Sequence, residues 1–123
     1  MSTSMDKGRL GEEAARMLLA QKGMALIARN VHVGHDELDL ILRDGEYIVF
    51  AEVKLRKSEN ARVHVNKGKQ ARMSRAALKW LSAGGILGSA VRFDVVEVFY
   101  DGISMEVCHI PDAFSFVRGK YFI

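Results

Sequence analysis

The chain has 123 residues, of which 49% are hydrophobic and 27% are charged, proportions typical of one globular domain spanning residues 1–123. No apolar run approaches the ~18 residues of a membrane span, and the first residues lack a secretory signal, so we expect a cytoplasmic protein that does not contact a membrane. The net charge is +3, but residues 54–79 contain nine Lys or Arg and one acid, Glu59. This block is typical of a nucleic-acid-binding surface or of a solvated face.

Residues 7–22 predict an amphipathic helix that ends at Gly23. Its predicted apolar stripe is Leu10, Ala14, Met17 and Leu18. Glu12 lies off this stripe, in line with Ala15 and Leu19 on a second, partly apolar side. Residues 24–33 predict the first strand.

The next two predicted strands, 37–43 and 46–54, form a hairpin around Asp44-Gly45, a strong two-residue turn signal. This turn sets Asp39 opposite Phe50. Because side chains alternate along a strand, four polar residues project from one sheet face: Glu37, Asp39, Glu52 and Lys54.

Carboxylates that face one another on a sheet destabilise it unless positive charge lies among them. Lys54 supplies one charge against three acids, whereas a divalent cation with oxygen ligands would neutralise the excess. Lys54 beside such a cation suits the positioning of a water. The alternative is that Glu37 and Glu52 are polar residues near strand ends and that Lys54 simply pairs with one of them.

Residues 56–65 predict an exposed loop, and residues 66–82 predict a second helix. The buried stripe of this helix is predicted to be Met73, Ala77, Trp80 and Leu81, while Lys69, Arg72, Arg75 and Lys79 form an outer basic arc. Residues 91–100 and 103–110 predict two final strands around an Asp101-Gly102 turn. The single cysteine, Cys108, is expected to be a small core residue.

The element order is therefore α-β-β-β-α-β-β, which predicts an α/β fold with a mixed sheet flanked by helices. Asp39, followed by Glu52-Val53-Lys54, resembles the D…(D/E)-x-K signature of the restriction-endonuclease-like nuclease superfamily. Five blocks also resemble, in order, the bacterial YraN-like family, which is related by fold to archaeal Holliday-junction resolvases. They are "GRLGEEAARMLLAQKG", "LIARN", "DELDLILRDGEYIVFAEVKLR", "KQARMSRAALKWL" and "VRFDVV", and they cover a recognisable core of about residues 8–98.

The resemblance implies a restriction-endonuclease-like core and a specific role for each matching residue. Asp39 and Glu52 match the metal-binding acids, and Lys54 matches the catalytic lysine. The implied supporting set is the Val53 backbone carbonyl as a metal ligand, Glu12 as a helix-borne acid and Gln70 as a second-helix residue beside the active site. The implied cofactor is Mg²⁺ or Mn²⁺.

These implications predict a metal-dependent endonuclease that hydrolyses phosphodiester bonds of DNA, with branched or structured DNA as the substrate suggested by the resolvases. The predicted nucleic-acid-binding residues are Arg56, Lys57, Lys67, Lys69, Arg72, Arg75 and Lys79. Two other interpretations stay open, namely a non-catalytic nucleic-acid-binding module and a domain whose basic face binds an acidic protein. Resolvases act as symmetric dimers, so the resemblance also allows a homodimer.

Overall fold

The computed structural model describes residues 4–56 and 65–117. Its elements are α1 (Ser4–Gln21), β1 (Ala25–Val33), β2 (Asp36–Asp44), β3 (Tyr47–Leu55), α2 (Lys67–Ala83), β4 (Ala90–Tyr100) and β5 (Met105–Phe114). The strands form one five-stranded sheet in the order β1-β2-β3-β4-β5. Among the strands of the described residues, only β3 and β4 pair in parallel, so the predicted order and the mixed sheet are confirmed. Neither helix has the length and apolar character needed to cross a membrane within these residues.

The sheet has a hydrophobic core on each side. The α1 side contains Ala15, Leu19, Met24, Leu40, Leu42, Val49, Ala51, Val96 and Val98. The α2 side contains Leu38, Ile41, Ile48, Phe50, Met73, Ala76, Ala77, Leu81 and Phe93. Trp80 is partly buried against the second cluster and meets the Phe50 ring edge-on, with centroids 5.9 Å apart, so the predicted stripe of α2 is confirmed.

The stripe predicted for α1 is wrong. Leu10 and Met17 are 45% and 51% exposed, and the buried face consists of Gly11, Ala15 and Leu19. Small side chains let the helix approach the sheet closely, and this contact outweighs the larger apolar residues that defined the predicted stripe. Glu12 therefore lies at the margin of the buried face.

Gly11 allows this close approach because a Cβ atom there would lie 2.9 Å from Leu55 Cδ2. We expect Gly11→Leu to lower the free energy of unfolding by about 1–3 kcal/mol, a typical cost of overpacking. Gly8→Leu is the matched control, since a Cβ at Gly8 meets nothing within 4 Å and leucine is the better helix former. Urea denaturation compares the two, and equal stability of both variants would contradict this account of the α1 contact.

The β2–β3 turn lies one residue later than predicted. Asp44 pairs with Tyr47, so the two turn residues are Gly45 and Glu46. Gly45 has a φ of +60°, as expected of a type II′ turn, which takes glycine at its first central position. The register shifts by two residues, so the paired side chains of residues 40–44 and 47–51 stay on their predicted faces. Continuing the pairing beyond Leu40 and Ala51 brings Asp39 opposite Glu52.

Cys108 is exposed, which corrects its prediction as a core residue. It lies on β5, at the edge of the sheet. The neighbouring β5 residues Met105 and Val107 pack against the α1-side core, and alternation turns Cys108 to the other side. The α2 helix contacts β1 and β2 on that side, and the Cys108 side chain is exposed there.

A buried polar network joins β5 to β4. Asp94 is fully buried and accepts two hydrogen bonds from the Arg92 guanidinium and one from the Asp112 N–H, while His109 Nε2 lies 2.7 Å from its carboxylate. Burial raises the pKa of Asp94, but these hydrogen bonds outweigh burial and hold the pKa below its usual value. Arg92 and Asp94, both within "VRFDVV", therefore have a structural role in this network.

Candidate metal centre

Asp39 lies where the regular alternation of β2 breaks. Leu38 packs in the α2-side core, whereas Leu40 packs in the α1-side core. Asn30 of β1 lies at the same level, between two β1–β2 pairs, and has a φ of +51°, a left-handed conformation that asparagine tolerates better than most residues. The local distortion of both strands frees Asp39 from the ladder.

The Asp39 carboxylate fills the gap between β2 and β3. The Val53 N–H donates a hydrogen bond of 2.9 Å to Asp39 Oδ2. In an antiparallel pair the N–H and C=O of one residue point toward the same neighbouring strand, so the Val53 carbonyl is directed toward the same gap. This arrangement brings a carboxylate and a backbone carbonyl to one place.

Glu52 is buried beside Asp39, with 5% of its surface exposed. Burial, a hydrogen bond with Asp39 and the Asp39 charge raise the pKa of Glu52 to about 8, although Lys69 and Lys54 oppose the rise. Lys69 Nζ of α2 lies 3.4 Å from Glu52 Oε2. The two lysines therefore do not fully balance the negative charge of the pair.

Two further acids approach Asp39 from the α1 side. Oxygen atoms of Glu12, Glu37 and Asp39 lie within 4.8 Å of one another. Burial and then the charges of Asp39 and Glu37 raise the pKa of Glu12, while Arg29 lowers it. Glu37 was predicted to share a face with Glu52, but the break at Asp39 places it with Glu12 instead.

Four of the predicted site residues line one cavity of about 500 Å³: Glu12, Asp39, Glu52 and Val53. Gly8, Arg9, Asn30 and Leu55 also line it. The cavity therefore offers several carboxylate oxygens, and oxygen-only donor sets are typical of Mg²⁺ and Mn²⁺ sites.

Lys54 and Gln70 are not among the described residues that line this cavity. Lys54 is half-buried on β3, and its charge acts on Glu52. The Gln70 side chain donates a 2.8 Å hydrogen bond to the Val65 carbonyl, which fixes the chain just before α2 begins. The Asn66 side chain caps the same helix by accepting the Lys69 N–H, so both contacts hold Lys69 in place near Glu52.

The predicted basic surface is smaller than the sequence suggests. Lys67, Arg72 and Lys79 are exposed. Arg75 was predicted to be exposed, but it is half-buried and ion-paired with Asp36 at 2.9 Å, because the start of β2 lies beneath α2. We refer to Lys67, Arg72 and Lys79 as the α2 basic face.

Arg56 directly follows β3 and does not lie in an exposed loop, since its N–H donates a 2.8 Å hydrogen bond to the Val98 carbonyl of β4. Its side chain is 10% exposed, pairs with Glu106 of β5 at 3.2 Å and lies over the Phe99 ring. Lys57 lies outside the described residues. A contact of either residue with nucleic acid stays a prediction.

Two features of this site were not predicted from the sequence. Asn30 was not singled out, although a residue that tolerates positive φ at a strand position is a signal for a local break. Arg9 was also missed, although Arg9 and Glu12 are three residues apart and so lie on one face of α1.

Comparisons with known proteins identify the family. The sequence model described as "Uncharacterised protein family UPF0102" matches residues 11–98. A UPF0102 protein of Geobacter metallireducens is 36% identical over 88% of this chain and 91% of its own length, and one of Geotalea uraniireducens is 40% identical over 88% of each. A UPF0102 protein of Oleidesulfovibrio alaskensis is 47% identical over 74% of this chain, but the match spans only 46% of that protein.

Among solved structures, Pyrococcus furiosus SfsA in complex with Ca²⁺ matches with 16% identity and a TM-score of 0.42, over 85% of this chain and 63% of that chain. This likeness is too weak to support a statement about function. The family matches cover most of the chain, including the segment that contains Asp39, Glu52 and Lys54. The chain therefore belongs to the uncharacterised protein family UPF0102, which confirms the YraN-like resemblance.

Proposed function

We propose that this protein is a metal-dependent endonuclease that hydrolyses phosphodiester bonds of DNA. The observation that carries the proposal is the placement of three carboxylates, Glu12, Asp39 and Glu52, around one open cavity. Burying Glu52 beside a second acid is costly, and a raised pKa such as that of Glu52 in a cavity is typical of a functional site. The D…(D/E)-x-K resemblance supports the nuclease assignment.

The acids and the Val53 carbonyl fit a divalent cation. Burial and Asp39 raise the pKa of Glu52 to about 8, so a divalent cation bound between the acids would stabilise their ionised forms. Asp39, Glu52 and Val53 would hold Mg²⁺ or Mn²⁺, with Glu12 close by. When bound, the cation supplies Lewis-acid polarisation of a phosphoryl oxygen.

Lys54 and Lys69, the two lysines whose charges act on Glu52, have different roles. Lys54 Nζ would orient the attacking water by hydrogen bonding and attract the non-bridging phosphate oxygens. Lys69 already pairs with Glu52 and lowers its pKa, which favours the ionised, metal-binding form of that carboxylate. Lys69 was assigned to phosphate binding on sequence grounds, and its contact with Glu52 favours this second role.

DNA is the favoured substrate because α2 carries exposed positive charge and because the sequence resembles the nuclease superfamily. The α2 basic face supplies cations for the phosphate backbone, the main source of affinity without sequence preference. Branched or structured DNA is proposed by analogy with the related resolvases, since fold alone does not determine substrate.

Cleavage assays with linear, nicked, flapped and four-way DNA test the proposal. We expect wild-type protein to cut at least one form with Mg²⁺ or Mn²⁺ and none with EDTA, and Asp39→Asn to cut none. Binding of DNA without cleavage of any form would instead favour the non-catalytic nucleic-acid-binding module.

A further inference from the structure

A second cavity adjoins the candidate metal centre between α1 and β1. It has a volume of about 490 Å³, and its lining includes Leu10, Glu13, Arg16, Arg29 and Leu40. Arg9, Glu12 and Asn30 line both cavities. The two cavities therefore meet at these three residues and form one groove that runs from the acids along α1. We call it the α1–β1 groove.

Arginine side chains follow this groove along one face of α1. Arg9, Glu12 and Arg16 are spaced by three and four residues, so they lie on one side of the helix. Arg29 reaches the same cavity from β1. Guanidinium groups bind phosphate oxygens in a bidentate manner, so the groove has the chemistry of a phosphate-binding surface.

The three arginines differ in how far protein acids already neutralise them. Arg16 forms an ion pair with Glu13, and Arg29 Nη1 lies 3.4 Å from the same carboxylate. Arg9 is exposed and forms no ion pair within residues 4–56 and 65–117. Arg9 is also the arginine that lines both cavities, so its positive charge is available next to the acids.

We infer that the α1–β1 groove binds the phosphodiester backbone of the DNA strand beside the scissile phosphate, with Arg9 contacting the first flanking phosphate and Arg16 and Arg29 the phosphates beyond it. The inference rests on the proposed function for the position of the scissile phosphate. Arg9 and Arg16 are about 10 Å apart along the helix axis, which corresponds to the axial rise of about three nucleotides. The groove thus accommodates a short stretch of one strand.

The arginines of the groove also supply positive charge that the α2 surface lacks. Two of the four cations of the predicted basic arc already have acidic partners, since Arg75 pairs with Asp36 and Lys69 with Glu52. A strand whose scissile phosphate lies at Asp39 continues away from the acids in two directions. The α2 basic face would bind the strand in one direction, and the α1–β1 groove would bind it in the other.

Equilibrium binding of a fluorescently labelled single strand and a four-way junction, in EDTA over a series of salt concentrations, tests this inference. We expect Arg9→Ala to weaken binding about tenfold and to reduce the slope of log affinity against log salt by about one. Arg9→Glu should weaken binding further. The matched control is Arg43→Ala, because Arg43 is an exposed β2 arginine outside both cavities, and it should bind like wild type.

Unchanged affinity and salt slope for Arg9→Ala, with the wild-type circular dichroism spectrum, would overturn the inference. Equal losses of affinity for Arg9→Ala and Arg43→Ala would also overturn it, because they would show that binding depends on net charge alone.

A photo-crosslinking residue at Leu10 should crosslink to DNA, and one at the exposed Leu87 should not. If Arg9→Ala weakens binding while the wild type cleaves no DNA in the presence of metal, DNA binding by the α1–β1 groove is supported and the nuclease proposal fails. If wild type cleaves and the Arg9 variants bind normally, only the groove fails.

Discussion

Glu52→Gln should abolish metal-dependent cleavage while DNA binding stays equal to that of the wild type or becomes tighter. Glutamine has nearly the same shape but removes the anionic ligand, and losing several kcal/mol of transition-state stabilisation lowers the rate by on the order of a thousandfold. The tighter binding follows from removal of a charge that repels phosphate. Because the pKa of Glu52 is about 8, the gain in metal-free binding should emerge above pH 8, where the wild-type carboxylate is ionised.

Lys54→Ala is the informative comparison for this prediction. It should also stop cleavage, but it should weaken binding slightly because it removes a cation that attracts phosphate. Rates from single-turnover assays and affinities from anisotropy, measured on the same DNA, give both quantities. Identical affinities for the Glu52 and Lys54 variants, together with an inactive wild type, would show that these residues do not form a nuclease site.

The metal-free protein should lose stability as pH rises from about 4.5 to about 8. Burial and Asp39 raise the pKa of Glu52 from 4.5 to about 8 in the folded protein, so the folded state retains a proton that the unfolded chain releases in this window. The stability is therefore fully present below pH 4.5 and is lost as pH approaches 8. The loss is on the order of a few kcal/mol, since each unit of pKa difference corresponds to about 1.4 kcal/mol.

Glu52→Gln should lack this loss, so that above pH 8 in EDTA the variant is more stable than the wild type. Glu46→Gln at the exposed β2–β3 turn is the matched control and should follow the wild-type profile. Added Mn²⁺ should raise the wild-type melting temperature more at pH 8 than at pH 5.5, because cation and proton compete for the same carboxylates. Parallel profiles of melting temperature against pH for wild type and Glu52→Gln would show that ionisation of the buried Glu52 does not destabilise the protein.

The order of elements could be predicted from sequence because periodicity is a local property of the chain. Strands such as β3 carry a continuous apolar run, and the Gly-containing turns mark their ends. The break in β2 at Asp39 could not be predicted in this way. Alternation assumes a straight strand, whereas the break depends on Asn30 of a neighbouring strand and on the Val53 N–H. Glu37 was misassigned to the Glu52 face for this reason.

The charged residues show a similar limit. The clustering of arginine and lysine was visible in the sequence, but their partners were not. Arg75 pairs with Asp36, and Arg56 pairs with Glu106, contacts between residues 39 and 50 positions apart. In α1, a stripe of large apolar residues suggested the wrong buried face, because Gly11 and Ala15 matter through their small size. The acids Asp39 and Glu52 were identified by family resemblance more than by spacing.

Binding of Mn²⁺ measured by electron paramagnetic resonance tests most directly whether Asp39 and Glu52 hold a catalytic cation. Free Mn²⁺ is titrated with wild type, Asp39→Asn, Glu52→Gln and the control Glu46→Gln at pH 8. We predict that wild type and Glu46→Gln remove Mn²⁺ from solution with the same affinity, and that each of the other two variants loses at least tenfold in affinity. Equal Mn²⁺ binding by all four proteins, or none by the wild type, would contradict the proposed metal centre.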